Sequence, residues 1–597
     1  NATLMLAVRP IQVNPGWQFL ARPGGAADIT SIRRDVEGIT INDTTTIIPI
    51  TKFDSFSAKR FDEGQIFGAR VSSPAQRVDD PFASASAAMH YNLDLRANEP
   101  TDVIIAIPFH ETPALLGDDF EAELNANRTL WRSRLGRVAI HLPDEAAHIA
   151  RAIRSNLAYI LINADGPSIQ PGSRSYDRSW IRDGSLTSSA LLRLGHPEEV
   201  RRFIEWYARF QRADGYVPCC VSLRGGDPVP EHDSHGQFIY LIKEYYDFTG
   251  DRAFLQRLWP NVAKAVEFID TLRRQRMTPE YESPEKRAFY GLVPESISHE
   301  GYSAKPMHSY WDDFFILTGV KDATEIAQIL GEDEATKFAA IRDEFRANLY
   351  ASIDRAMATQ KIDFIPGSVE LGDFDATSTT TAINPGGELR FMPQPATQRT
   401  FDRYWEEFVA RRDGGKPWEN YTPYEWRTVG TFIRLGQPER AHEITRWFFT
   451  HVRPPAWNHW AEVVWNDAKT PKFIGDMPHT WVGSDFIRSV IDMFAFESDD
   501  GALVIGAGIP EQWVSGDPIG VEKLRTPYGA LTWTMTRDGS DVLVRIEEGI
   551  EVPSAGIVVG DQVIRQLPAE VRLKPKFRHA FGARVSSPAP QGRNLIR

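Results

Sequence analysis

Between about residues 144 and 497, apolar residues recur at i, i+3, i+4 and i+7 in segment after segment, and the segments come in pairs. DEAAHIARAIRSNLAYILINA, PEEVRRFIEWYARFQRA and DSHGQFIYLIKEYYDFTG show the period plainly. At LGHPEE, TGDRAF and LGQPER a glycine ends one helix and the next begins almost at once. Roughly a dozen helices are predicted by this reading. The remaining connections are long and rich in Trp, Tyr, Pro and Gly. Short links on one side and long aromatic links on the other are what a closed ring of helical hairpins would give.

On either side of this region the pattern turns to β. TLMLAVRPIQV, ITINDTTTIIPI and DVIIAIPF predict a β-sandwich over residues 1–118, and DDFEAELNANRTLWRSRLG predicts a helical linker over 119–143. GALVIGAG, GALTWTMTR, SDVLVRIEEG and AGIVVGDQVI predict a small β domain over 500–580. A chain of 597 residues exceeds a single core, so several domains are expected. FGARVSSPA occurs at 67–75 and again at 581–589 with nothing around it recurring, so the tail 581–597 is set outside the fold as an assembly artefact.

Charge and composition narrow the function. A net charge of −13 argues against nucleic acid and anionic membrane as partners, and no apolar run reaches the length of a membrane span. Cys219 and Cys220 are neighbours and give no disulfide framework. The opening NATLMLAVRP has neither an initiator Met nor a signal-peptide pattern, which reads as a trimmed start and leaves cytoplasm and periplasm both open.

Four long loops hold acids beside aromatics. SYDRSWIRDG brings Tyr176, Arg178, Trp180, Arg182 and Asp183 to a helix start that needs one cap. DGYVPCCVSLRGGDPVPEHDSHGQ brings Glu231, His232, Asp233 and His235. FYGLVPESISHEGYSAKPMHSYWDDF brings Glu295, Glu300, Tyr302, Trp311, Asp312 and Asp313. AWNHWAEVVWNDAKTPKFIGDMPHTW sets Glu462 between Trp460 and Trp465, with His479 and Trp481 following.

Gathered at one end of a helical ring, such loops line a pocket. Glycoside cleavage needs two carboxyls there, one to protonate the leaving oxygen and one to activate water or attack the sugar carbon. Trp and Tyr stack on sugar faces, while Asp, Arg and His hold hydroxyls. Structural readings stand beside these. Asp183 and Asp233 can cap helices, the Trp cluster can pack a barrel end, and His299, His308, His459 and His479 can pack loops or bond a sugar. The Glu231-His-Asp-x-His spacing matches no standard zinc or iron site, and no phosphate- or dinucleotide-binding fingerprint occurs, so neither metal nor cofactor is expected.

The order of these motifs resembles the six-hairpin, (α/α)6-barrel glycoside hydrolases, in particular the glucoamylase and glycogen-debranching-like group. Trp180-Ile-Arg182-Asp183 is similar to that group's Trp-x-Arg-Asp segment, which holds the terminal sugar. Ala461-Glu462, followed by Gly475, Pro478, Thr480 and Trp481, resembles the segment in which the Glu is the catalytic base. The loop before Tyr310-Trp311-Asp312-Asp313 matches the position that supplies the acid. The family's Trp-Glu-Glu is absent there, which leaves Glu300 or Glu295, with Glu300 preferred. Glu462 is followed by Val rather than Gln, and Glu419 and Glu425 remain lesser candidates for the base.

The resemblance implies a multidomain, mainly α protein. An (α/α)6 barrel over 144–499 would be flanked by the N-terminal sandwich and the C-terminal β domain. It implies an exo-acting, inverting glycoside hydrolase whose partner is an oligo- or polysaccharide. Two other chemistries fit the same barrel. A phosphorylase would use Lys469, Thr470, Lys472 and His479 on phosphate, and a polysaccharide lyase would use Tyr176, Arg178 and His235 on a uronate. A carbohydrate-binding protein without catalysis is the non-enzyme reading.

Overall fold

The computed structural model describes residues 1–11, 16–18, 27–36, 38–64, 66, 77–108 and 120–574. Both copies of FGARVSSPA and the tail 581–597 lie outside the described residues. The chain divides into two compact units, Asn1–Trp131 and Arg132–Arg597.

The first unit is β. One antiparallel sheet runs in the order Ala2–Val8, Ser86–Leu93, Ser55–Lys59. A second runs Arg77–Asp79, Ser31–Arg34, Ile39–Ile41, Thr45–Pro49, Ile105–Ala106. Ile32, Ile39 and Ile47 of the second sheet share one apolar cluster with Phe56, Met89 and Tyr91 of the first. Two sheets that bury their inner faces against each other in this way need no other support.

The second unit is mainly helical. Its helices, in chain order, are α1 (Phe120–Leu135, which runs across the division), α2 (Ala147–Asn163), α3 (Ile181–Arg193), α4 (Pro197–Tyr207), α5 (Asp233–Thr249), α6 (Arg252–Arg274) and α7 (Tyr310–Leu330). There follow α8 (Ala335–Gln360), α9 (Ala376–Ile383), α10 (Ala396–Arg412), α11 (Trp426–Arg434), α12 (Pro438–Phe449) and α13 (Thr480–Ile491). The odd-numbered helices from α3 close a ring. α3 packs on α5, α5 on α7, α7 on α9, α9 on α11, α11 on α13, and α13 returns to α3. The even-numbered helices pack outside, α4 on α3 and α5, α6 on α5 and α7, α8 on α7, α10 on α9, α12 on α11, and α2 on α13.

Sequence explains which helix goes where. The even helices carry one apolar stripe, as in α4 with Val200, Phe203, Ile204 and Tyr207 buried. The ring helices are buried all round: every residue of α11 and α13 is buried, and so is α3 from Ile181 to Leu192. Small side chains permit this. A Cβ added at Gly236 of α5 would lie 1.9 Å from the Phe315 carbonyl oxygen of α7, and one at Gly319 would lie 2.5 Å from the Gly236 Cα. The short links behave as their sequences predict. Gly195, Gly250 and Gly436 take the left-handed conformation, Pro197 and Pro438 open the next helices, and the Asp251 carboxylate accepts from Phe254 N–H at 2.9 Å.

Two β sheets complete the unit. The five-stranded one has the order Ala569–Leu573, Asp541–Ile546, Gly529–Asp538, Ile519–Thr526, Ala139–His141. Residues 139–141, expected within a helical linker, therefore form an edge strand on this C-terminal sheet. The other sheet pairs Ala495–Glu497, Leu503–Ile505, Ile557–Val559 and Gln562–Ile564. No helix among the described residues is long and apolar enough to cross a membrane.

Candidate active site

The N-terminal ends of α3, α9, α11 and α13 surround a cavity of about 200 Å³. Helix N-termini carry positive partial charge, so carboxylates placed there are favoured. Each wall residue is fixed by its own local device. A small sheet of Ser179–Trp180, Cys220–Ser222 and Gly225–Gly226 anchors the loop before α3, with Ile181 N–H donating to the Cys219 carbonyl at 2.9 Å. The Asp476 carboxylate accepts the successive N–H groups of Arg174, Ser175 and Tyr176 at 2.9–3.1 Å, which ties the first loop to the fourth.

This arrangement delivers Tyr176 to Glu462. The Tyr176 hydroxyl donates to Glu462 Oε2, and the Tyr424 hydroxyl donates to Glu462 Oε1 at 2.8 Å. His479 Nε2 lies 3.8 Å from Oε2, while its Nδ1 accepts from Val482 N–H and caps α13. Burial pushes the His479 pKa down, against the pull of Glu462 and Asp476. Gly475, at φ +71°, is required here, because a Cβ would sit 2.5 Å from Glu462 Oε2.

Glu300 lines the same cavity from the loop before α7. Its backbone is in the left-handed region at φ +65°, as is that of Ser298 at +54°. Asp312 holds this strained turn by accepting from Ser296 Oγ at 2.6 Å and Ser298 Oγ at 2.8 Å. Burial, with Asp233 nearby, pushes the Asp312 carboxyl up to about 7. Trp180 Nε1–H donates to Glu300 Oε1 at 3.3 Å, and Arg182 lies 3.9 Å from it. His299, beside Glu300, stacks on Trp311 with ring centroids 4.9 Å apart, and burial lowers its pKa to about 4.

Arg182 is ringed by carboxylates from below, with its Nε lacking a hydrogen-bond partner. Glu231 accepts from its guanidinium, and Asp233 and Asp183 lie at 3.9 and 3.8 Å. Asp183 reaches the cavity with Oδ2 unpartnered, and burial together with the Glu462 and Glu300 charges pushes its carboxyl well up. A raised pKa favours the protonated form, which can donate a hydrogen bond to a ligand oxygen.

Of the residues expected to bind substrate, the structure gathers Tyr176, Trp180, Arg182, Asp183, His479 and Trp481 on the wall with Glu300 and Glu462. Others belong elsewhere. Glu295 is outside the lining, paired with Arg276 and 3.5 Å from His308, so of the two acid candidates only Glu300 faces the cavity. Glu231, Asp233, Trp311 and Asp312 lie behind the wall. Asp233 accepts from Trp311 Nε1–H at 2.7 Å and from Gln237 at 2.8 Å. His235 is fully buried against Tyr216 and Phe268, where its Nδ1 accepts from Val217 N–H. Tyr302 donates to Asp373 at 2.8 Å. Trp460 is core, packed on Trp426 and Phe486 and bonded to the Phe448 carbonyl. The helix caps are Trp180 and His232, so neither Asp183 nor Asp233 serves as a cap.

Glu425 is buried against Arg411 and Tyr404, and Glu419 pairs with Lys472 at the surface, so both are outside the cavity. Of the residues that phosphate or lyase chemistry would use, Lys469, Thr470, Lys472, Arg178 and His235 are absent from the lining. Burial and the Glu462 charge push the Tyr176 phenol up, which suits a donor and not a base.

Five wall residues carried no sequence expectation: Pro171, Thr377, Thr422, Tyr424 and Arg427. The Arg427 guanidinium lies 5.0 Å from the Trp311 ring centroid, 5.6 Å from Tyr424 and 5.7 Å from Trp481. The signal available was the Tyr-Glu-Trp-Arg run at the start of a helix, where Glu425 drew attention instead.

Residues 174–362 match the bacterial alpha-L-rhamnosidase six-hairpin glycosidase domain. An uncharacterized glycosyl hydrolase of Methanocaldococcus jannaschii is 31% identical over 256 residues, covering 42% of this chain and 39% of that protein. The chain thus spans about two fifths of that relative's length. The MMP endo-(1,4)-3-O-methyl-alpha-D-mannosidase of Mycolicibacterium hassiacum is 23% identical over 336 residues, covering 55% of this chain and 80% of that protein. Among solved structures, the alpha-L-rhamnosidase from Dictyoglumus thermophilum aligns over 96% of this chain and 60% of its own, with a TM-score of 0.53 and 12% identity. At that identity the likeness is one of fold. The family match covers 189 of the 597 residues, all within the helical unit.

Proposed function

We propose that this domain is an exo-acting, inverting glycoside hydrolase on an (α/α)6 barrel, with Glu300 as general acid and Glu462 as general base. The closed ring of six helices, each with an outer neighbour, supports the barrel reading. The observation that carries the function is that these two carboxyls share one small cavity, with Glu462 held at both oxygens by phenols. A carboxylate held at both oxygens is fixed in orientation and keeps lone pairs that can take a proton from a water lying beside it. About 200 Å³ is less than the roughly 300–1,000 Å³ of ordinary small-molecule sites and suits one sugar ring rather than a chain.

Each step falls to a residue of this chain. Arg182 and Asp183 hold ring hydroxyls, and Trp180 and Trp481 supply apolar faces. Glu300 passes its proton to the leaving oxygen as Glu462 removes one from water. The test is product release from a panel of oligosaccharides, with proton NMR of the first anomer formed. We expect one monosaccharide of inverted configuration, no dependence on phosphate, and a loss of at least about 10³-fold in both Glu462→Gln and Glu300→Gln. Retained configuration would overturn the inverting step, and full activity in Glu462→Gln would overturn the base.

A further inference from the structure

At the opposite ends of the ring helices lies a second and larger cavity, of about 690 Å³. That volume falls within the range of small-molecule sites, and no step of the proposed hydrolysis uses it. The last turns of α3, α5, α9 and α11 contribute Arg193, Tyr246, Ile383 and Arg434, strand Ala495–Glu497 contributes Glu497, and the turn between strands Ile519–Thr526 and Gly529–Asp538 contributes Tyr528. Its polarity is therefore the reverse of the catalytic cavity's: helix C-terminal carbonyls face it in place of N–H groups.

Most of the charges on its wall are paired, while Lys321 donates to the Gly386 carbonyl and the Arg390 guanidinium lies over the Phe391 ring. Arg193 pairs with Glu244 at 2.7 Å, Lys243 with Asp247 at 2.7 Å and Glu325 at 3.0 Å, and Arg346 with Glu388 at 2.7 Å. Arg434 pairs with Asp492 at 2.7 Å. A simple anion or cation therefore meets little net field. Acceptors in want of donors are what remain. Glu244 is 7% exposed with Oε2 lacking a hydrogen-bond partner, and Asp322 is 8% exposed on the same wall. Tyr240, Tyr246 and Tyr528 add aromatic rings. A neutral ligand with several hydroxyls meets all of these demands, because each hydroxyl donates to a carboxylate or carbonyl and accepts from an ammonium or guanidinium N–H.

We infer that this cavity is a second saccharide site, of about disaccharide size, separate from the catalytic one. The inference goes beyond the catalytic reading and does not depend on it.

Hydrogen–deuterium exchange of the whole protein reads both sites at once. Glucose, maltose, trehalose, mannose and rhamnose are added singly, with betaine at equal osmolality as the control and phosphate and spermidine as ionic probes. At ten times the dissociation constant, exchange through local opening slows about tenfold. We expect at least one saccharide to slow residues 240–250 and 383–391 by that factor, and Tyr246→Ala or Tyr528→Ala to abolish this effect while leaving activity unchanged. Slowing confined to the segments around Tyr176, Tyr424 and Glu462 would overturn the second site and leave the catalytic reading intact. Slowing of 240–250 and 383–391 alone would support the second site and count against the catalytic one. Slowing there by phosphate or spermidine in place of sugars, or by nothing in the panel, would overturn the inference.

Discussion

Glu462 takes one hydrogen bond from the loop of Tyr176 and one from the turn of Tyr424, and its orientation depends on both. Tyr424 is the cleaner probe, because Phe at that position keeps the ring against Trp481, 4.1 Å between centroids, and removes only the hydroxyl. Tyr424→Phe should lower kcat about tenfold, the value of one hydrogen bond of about 1.4 kcal/mol to a charged group, and leave KM within about twofold. Steady-state kinetics on the sugar identified by the panel checks this, and a rise in KM alone would show that Tyr424 binds substrate instead. At this scale the sequence was informative where chemistry was concentrated. A lone Glu between tryptophans in a loop, and the Trp-x-Arg-Asp run, both pointed at the wall. The choice between Glu295 and Glu300 was not legible, because it turns on whether Arg276, in the loop after α6, reaches across to Glu295. Trp460 differs for a related reason: an indole two residues from Glu462 in sequence packs into the core on Trp426 and Phe486.

What surrounds a helix affects how legible it is, although the ring helix α5 shows its period plainly. An outer helix has a wet face and so an apolar stripe, which is why α4, α6 and α12 could be read with their ends. A ring helix has neighbours on every side. α9, ATSTTTAI, is buried except at Thr377, which lines the cavity, and it shows neither amphipathic period nor high helix propensity, so no helix is predicted there. The residues that fit it to the ring, small and β-branched, are those that erase the signal. Close packing leaves the same mark at α5 and α7, where Gly236 faces the Phe315 carbonyl. Gly236→Ala should gain a few tenths of a kcal/mol in helix propensity but lose far more, because a backbone carbonyl 1.9 Å away cannot yield without parting the two helices. A net cost of about 3 kcal/mol is expected, measured as a lower denaturant midpoint at unchanged slope. A variant as stable as wild type would mean that α5 and α7 lie farther apart than described.

Across the whole barrel unit, a ring packed from polar and small residues buries titratable groups of both kinds, and their effects on stability oppose each other. Burial lowers His232 and His299 to about 4 and His459 to about 3. Each such histidine is protonated more readily in the unfolded chain, so these three favour the fold increasingly as pH rises from about 4 to about 6.5. Burial raises Asp312 and Asp322 to about 7 and Asp247 and Asp485 to about 6. Each carboxyl binds its proton more tightly when folded, so these disfavour the fold as pH rises from about 4 to the folded value. These contributions oppose each other up to about pH 6.5, and above it Asp312 and Asp322 still titrate, so among these groups the balance turns against the fold toward neutral pH. Asp322 isolates one side of the balance. It sits outside the catalytic cavity, raised by burial and by Glu325 and Asp247 against the pull of Lys321 and Lys243. Asp322→Asn removes a group that must lose its proton in a buried place. Measured by denaturant unfolding at several pH values, the variant should gain on wild type steadily between about pH 4 and 7, by no more than about 4 kcal/mol in total. A difference that stays constant with pH would mean that Asp322 ionises as freely in the fold as in the unfolded chain, and that the ring interior carries its charges at no cost.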